Sequence, residues 1–524
     1  MPGINTSMGT HASMKSLIKS EREMLQAMER ISTGKRINHA GDDAAGAAIS
    51  DRMSATIRAL DMSVRNASDV LSMAQVAEGA LDEASSALQR IRELSIQAAT
   101  DILNAEQKVY LQTEVNQLLD EMDRVTRDTT FNEIAVLDGT FADRRFQIGA
   151  HEREKAVISI GNMRNDSIGA YQATTEGTSG ETNLAQNAVL GAAAASITSK
   201  VAATDDFTIT GLLGSKEIDV AAADTAKTMA QLTNDSFDST GVSATASTQV
   251  ALQVTSSVSG LQTSGQVVTF NLYGKNSTAQ SISSAITIGS AVGTSDLTDM
   301  RDNINAYSST TGISATLNSA KNQIMLVQDE GHDIVIENLD FAGVTTDVNT
   351  TKMTATGYNF KQDTAGSTMN ITDSANTTLN TDSMRIGGEL TFHSSHTFSI
   401  VAETANGGVF ESSAASSTLN SISTIDIKSM AGAIDALKVV DRALDRVHME
   451  RAKFGAIMSR MNVVVDNLTN VSQNTRASRA RVADADFALE SSRLSKAQIL
   501  QQSAMNMIAQ ASRTMQNVMV LFQG

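Results

Sequence analysis

The sequence predicts a mainly α terminal stem, a coiled coil and helical bundle built from both chain ends, with a β-rich α+β central insert. Three observations carry this. Both ends hold apolar residues at heptad spacing. The composition changes character near residues 170 and 425. Helix breakers are scarce at the ends, since the only Pro among 524 residues is Pro2.

In the first helix Met14, Leu17, Met24, Met28 and Ile31 keep an a/d pattern interrupted by Glu21 and widened by Ile18 and Leu25. Ser32-Thr33-Gly34 should end it, and Asp42 or Asp43 after Gly41 should cap the next. There Met53, Ile57, Leu60, Val64, Ala67, Leu71 and Ala74 form a seam, continued less strictly through Leu81, Leu88 and Ile91. A third helix carries Leu111, Val115, Leu118, Met122 and Val125. Between Phe131 and Ile160, Asp138-Gly139 signals a turn and Val157–Ile160 a strand, so a small β element should pack on the bundle.

From about 171 to 425 the chain turns to Ser, Thr, Ala, Asn, Asp and Gly. Strand candidates are Phe207–Thr210, Val267–Leu272, Ile324–Gln328, Ile334–Glu337 and Phe398–Val401. Thr240-Gly-Val-Ser-Ala-Thr245 recurs as Thr311-Gly-Ile-Ser-Ala-Thr316, each after a segment able to form a helix, which reads as two copies of a β/α module. Solvated outer loops account for the Ser/Thr content, with O-linked sugar acceptors as the other reading.

The helical texture returns with Leu437, Val440, Leu444, Val447, Phe454, Met458, Met461, Val465 and Leu468, broken by Arg451. These helices can bury their stripes together as a bundle. From Asp484, Ala497, Leu500, Ala504, Met507, Ala511, Met515, Val518 and Phe522 form the last seam. It needs cover from the N-terminal helix or from another molecule; a frayed tail is the bland alternative. The expected divisions are 1–42 (core helix), 43–170 (bundle with a small β element), 171–425 (insert, two β-rich modules), 426–483 (bundle helix) and 484–524 (core helix). The expected polymerisation core is Leu17, Met24, Met28 and Ile31 with Leu500, Ala504, Met507, Ala511, Val518 and Phe522.

A net charge of −17 argues against a nucleic-acid partner, which needs clustered Lys and Arg. No apolar run is long enough to span a bilayer, so no membrane partner is expected, and the N-terminus lacks a cleavable apolar signal core. With no Cys, disulfides and thiolate metal sites are excluded. His151-Glu152 begins like HExxH, but Lys155 stands where the second ligand belongs. His393 and His396 sit three apart in an expected loop with no third ligand, and surface His is the ordinary reading. No nucleophile pairs with a base. The expectation is a non-enzyme with no catalytic residues, metal or cofactor.

Glu29-Arg-Ile-Ser-Thr-Gly-Lys-Arg-Ile-Asn38, Gly41-Asp-Asp-Ala-Ala-Gly46, Leu88-Gln-Arg-Ile-Arg-Glu-Leu-Ser-Ile-Gln-Ala98, Phe131-Asn132 and Leu137-Asp-Gly139 together resemble bacterial flagellin. So do Ser478-Arg-Ala-Arg-Val-Ala-Asp-Ala-Asp-Phe487, Ala497-Gln-Ile-Leu-Gln-Gln502 and Gln516-Asn-Val518 at the other end. The resemblance covers residues 4–160 and 430–522. It is weaker in the insert, at Phe207–Gly211 and Asp333–Asn338. Met515 stands where flagellins often have Pro, and the tail after it is longer than the family's usual ending.

The resemblance implies a secreted subunit, exported unfolded through a type III channel, that polymerises with itself into the extracellular flagellum. Heterologous contacts that do not close would give such a helical polymer. It also implies a cap, hook-junction proteins and an export chaperone as partners. In flagellins sensed by the host Toll-like flagellin receptor the contact residues match Gln89, Arg90, Leu94 and Glu114 here. A hook–filament junction protein sharing the terminal helices is the alternative. A secreted enzyme on the same scaffold would need a complete site in the insert.

Overall fold

The computed structural model describes residues 8–100, 102–175, 189–191, 199, 201–254, 265–287, 295–342, 353–360, 365–372, 381–403, 409–410 and 414–522. The chain divides into two compact units, one of residues 1–76, 142–159 and 453–524, the other of residues 77–141 and 160–452.

In the first unit α1 (Met8–Thr33) stops where Gly34 takes a left-handed conformation at φ +68°. The elbow after it is held by Asp42, whose Oδ2 accepts the Asn38 and His39 backbone N–H groups at 3.0 and 3.2 Å. Those donors hold the Asp42 carboxyl down at about 2. Asp43 then caps α2 (Ala44–Ala98), accepting the Gly46 N–H at 2.9 Å. Strands Arg144–Gln147 and Lys155–Ile158 pair antiparallel, and the Gln147 carbonyl accepts from the Asn66 amide of α2 at 2.8 Å.

The α2 seam differs from the expected one. Leu60, Ala67 and Ala74 are buried as expected, but their partners are Ser63, Val70 and Ala77, while Val64 and Leu71 are only half-buried. Small side chains share the buried seam, and Val64 and Leu71 are left at its flanks. The strict 3-4 rhythm continues through Leu81, Ala84, Leu88 and Ile91.

In the second unit α3 (Ala105–Asp128) starts on a capping box between Asn104 and Gln107. It buries Val115, Leu119, Met122 and Val125, with Leu119 rather than Leu118 on the buried face. Helix α8 (Met430–Ala483), whose residues from 453 on belong to the first unit, keeps its heptad core in Val440, Val447, Phe454, Met461 and Leu468. The neighbouring expected residues Leu437, Leu444, Met458 and Val465 are half-buried, and Ala436 and Ala443 lie deeper than the adjacent leucines. Arg451, expected as a break in the stripe, pairs with Glu78 and Asp82 at 2.8 and 2.9 Å, which removes the cost of its charge.

The insert contains two copies of one design. Strands Phe207–Thr210 and Ser215–Ile218 precede α4 (Ala226–Asp235), α5 (Phe237–Thr240) and strand Ser243–Val254. Strands Gln266–Tyr273 and Gln280–Ile286 precede α6 (Thr298–Ala306), α7 (Ser308–Thr311) and strand Ser314–Leu317. The matched hexapeptides fall at the helix-to-strand turn. Gly241 and Gly312 take φ +73° and +72°, and Asn234 and Asn305 each clamp the strand that follows, at Ala244 and Ala315. Gly211 and Gly274 are required, because a Cβ there would lie 2.1 and 2.4 Å from the carbonyl oxygens of Thr240 and Thr311. Each copy has its own core, the first around Phe207, Phe392 and Phe410, the second around Phe270, Leu272, Ile304 and Ile336. All the described strand pairings of the insert are antiparallel.

Candidate assembly interface

Helix α9 (Phe487–Phe522) packs along α1. Asp486 caps it, accepting the Ala488 and Leu489 N–H groups at 2.9 and 3.1 Å. At the elbow Lys35 bridges Asp484 antiparallel, Arg36 N–H donates to the Ala483 carbonyl at 2.7 Å, and Ala485 N–H donates to Gly34 at 3.0 Å. The α1 seam is Ser13, Leu17, Ser20, Met24, Ala27 and Ile31, and the α9 seam is Glu490, Leu494, Ala497, Gln501, Ala504, Ile508 and Ala511. Both advance by alternating fours and threes, the signature of paired helices.

Of the expected polymerisation residues, Leu17, Met24, Ile31, Ala504 and Ala511 line this intramolecular seam. Met28, Leu500 and Met507 do not: they are 49%, 42% and 63% exposed. The side chains of Val518 and Phe522, like that of Met515, lie outside the described residues. Met14, Ile18 and Leu25 join Met28 on the open side of α1, and Phe487, Leu489, Ile499 and Met505 add open apolar surface on α9. Single exposed apolar side chains mean little, but a line of them marks a binding surface. Sequence reasoning missed Ser13, Ser20, Ala27 and Glu490 as seam residues, because a search for large apolar side chains passes over small and charged ones.

The expected receptor residues are placed in the second unit. Arg90 donates through Nε and Nη2 to Glu114 Oε1 at 3.0 and 2.8 Å, and through Nη1 to Glu93 at 3.1 Å. Gln89 is exposed beside them, whereas Leu94 is 1% exposed and belongs to the core. Burial follows because Leu94 continues the inner face of α2 below Ile91.

His393 corrects the expectation of a loop and a surface position. It lies in strand Glu389–Ser394, buried, with Nε2 3.1 Å from Thr245 Oγ1, to which Lys438 Nζ also donates at 3.0 Å. Burial, with Lys438 and Arg442 nearby, holds its pKa well below the usual histidine range. Carboxylate oxygens of Asp206, Glu217 and Asp219 lie within 4.8 Å of one another, but they are largely exposed and Asp206 already accepts the Val220 N–H. No helix among the described residues is long and apolar enough to cross a membrane.

Comparison with known proteins places this arrangement. The bacterial flagellin N-terminal helical region matches residues 4–142, the bacterial flagellin C-terminal helical region matches 437–522, and the flagellin hook IN motif matches 206–258 and 268–330. The last two ranges coincide with the two copies in the insert. The class is therefore that of flagellar structural proteins with helical ends. The B-type flagellin of Pseudomonas aeruginosa is 31% identical over 527 residues, spanning 99% of each chain. Flagellin C of Vibrio anguillarum is 28% identical over 510 residues, spanning 97% of this chain and 96% of its own. The structure of FliC from Burkholderia pseudomallei aligns at 17% identity and a TM-score of 0.28, covering 75% of this chain and 99% of that one. The chain belongs to the bacterial flagellin family. It is a structural subunit of the flagellar filament.

Proposed function

We propose that the subunit polymerises through the open sides of α1 and α9, covered in the filament by other copies of the same chain. The observation that carries this is the row of exposed apolar side chains, Met14, Ile18, Leu25 and Met28, flanking a seam on α1 that is already packed. A heterologous contact of this kind repeats without closing and gives a helical polymer. In this reading 1–42 and 484–524 form the filament core, 43–170 and 426–483 the bundle, and 171–425 a replaceable outer insert. The filament works outside the cell, after export of the unfolded chain with a chaperone and addition beneath a cap onto hook-junction proteins. Removing residues from Ser495 onward should leave a soluble subunit that cannot extend filament seeds. Normal filaments from that truncation would overturn the reading. A hook–filament junction protein would enter in few copies and fail to extend seeds even at full length.

We also propose that the free subunit, and not the filament, engages the host Toll-like flagellin receptor through Gln89, Arg90 and Glu114. Arg90 supports this as a half-exposed, always-charged fork held in place by two carboxylates at little energetic cost. Arg90→Ala should blunt a receptor reporter. An unchanged response from verified monomer would move the contact elsewhere.

A further inference from the structure

The α1–α9 seam does not define its own register. Each helix repeats its seam every heptad with residues of similar size: Ser13, Ser20 and Ala27 on one line of α1, Leu17, Met24 and Ile31 on the other, and Ala497, Ala504 and Ala511 along α9. Sliding one helix by a heptad sets the small side chains of each helix opposite large ones again and costs little packing. The elbow hydrogen bonds all end on backbone carbonyls, including the one from the Arg36 side chain to Val482 at 2.7 Å, and carbonyls are the same at every residue, so these bonds too accept a shifted partner.

One pair breaks this degeneracy. Arg30 Nη1 lies 3.2 Å from Glu490 Oε1, with side-chain exposures of 15% and 4%. Glu490 is the one charged residue of the α9 seam, and Arg493 approaches it from the same helix at 2.8 Å. Arg30 also faces Asp42 of the elbow at 3.9 Å, and its Nε is buried without a hydrogen-bond partner. That geometry is poor for stability alone. Buried ion pairs often add little over apolar side chains of similar volume, but a mismatched one strands a charge, so their best-attested use is to choose a register.

Resting on the reading that the terminal helices form the assembly surface, we infer that Arg30–Glu490 is the positioning pair that fixes the register of α1 against α9. It thereby fixes the heights of Met14, Ile18, Leu25 and Met28 on α1 relative to the exposed apolar side chains of α9.

The full-length chain has no cysteine, so introduced pairs report register without background. Counting one heptad outward from the seam residues Ile31 and Glu490 brings Met24 level with Ala497, and a one-heptad slip brings it level with Ala504. In the otherwise wild-type chain, Met24→Cys with Ala497→Cys should close an intramolecular disulfide on mild oxidation, and Met24→Cys with Ala504→Cys should not. In the apolar background Arg30→Met/Glu490→Leu both pairs should close. Without added cysteines that background should extend seeds about tenfold more slowly, as when a hot-spot contact is lost. If only the first pair closes in the apolar background, something else sets the register and the inference fails. If neither closes there, the ion pair is simply what joins the helices, and the inference also fails. The same holds if the first pair does not close in the wild-type background. Seed extension by the chain cut before Ser495 would instead remove the assembly reading, while the crosslinks would still report the register.

Discussion

The terminal helix pair and the second copy in the insert use the same kinds of apolar residue and end in opposite states. In the insert, Phe270, Leu272, Ile282, Met300, Ile304 and Ile313 are wholly buried, because helices laid on an antiparallel sheet enclose the apolar face between two layers. In the terminal pair each helix covers only one side of the other. Met14, Ile18, Leu25 and Met28 stay in water. Each such side chain forgoes about 1.5–3 kcal/mol of burial until a partner arrives. One region is finished by its own chain; in the proposed reading the other is finished by assembly.

The sharpest way to break the comparison is to charge the open surface. Met28→Asp with Leu500→Asp should stop seed extension outright, yet change the free subunit's stability by no more than about 0.5 kcal/mol, as surface substitutions do. A large loss of stability would mean that these residues pack within the subunit. Phe270→Ala tests the closed side. Emptying a fully buried aromatic site should destabilise the insert by about 3–5 kcal/mol in urea unfolding, while seed extension at low temperature persists. If extension fails while the bundle remains folded, the insert is not independent of the assembly surface.

Much of this division is visible in the sequence. The end of α1 before Gly34, the cap at Asp43, the heptads of α8 and the strands Phe207–Thr210 and Ile324–Gln328 all follow from local chemistry. The detail that eluded it has one physical cause. Heptad reading assigns large apolar residues to the seam, whereas closely approaching helices place Ser20, Ala27, Ser63 and Ala77 there. The displaced large side chains are the ones that form the open surface on α1. Glu490 was invisible for the complementary reason, since a buried carboxylate is recognisable only once Arg30, hundreds of residues away, is brought beside it. His393 is the same case on a strand.

The smallest effect expected is on pH dependence, and it arises in the first copy of the insert. In the unfolded chain His393 takes up a proton near pH 6.5. In the folded chain burial and the Lys438 and Arg442 cations keep it neutral far below that, so the unfolded state binds the extra proton as the solution is acidified. Its contribution to stability is complete above about pH 6.5 and is lost at up to about 1.4 kcal/mol per pH unit as the pH falls further. Thr245, shared between His393 and Lys438, gives the replacement a hydrogen-bonding partner, so His393→Gln is the variant of choice. Urea unfolding of the insert, compared at about pH 7.5 and about pH 5, should show the wild-type chain losing more stability than His393→Gln by about 1–2 kcal/mol. The α1–α9 crosslinks should be indifferent to that substitution at both pH values. Parallel losses in the two proteins would mean that His393 is protonated in the folded state and that its surroundings are wetter than their burial implies.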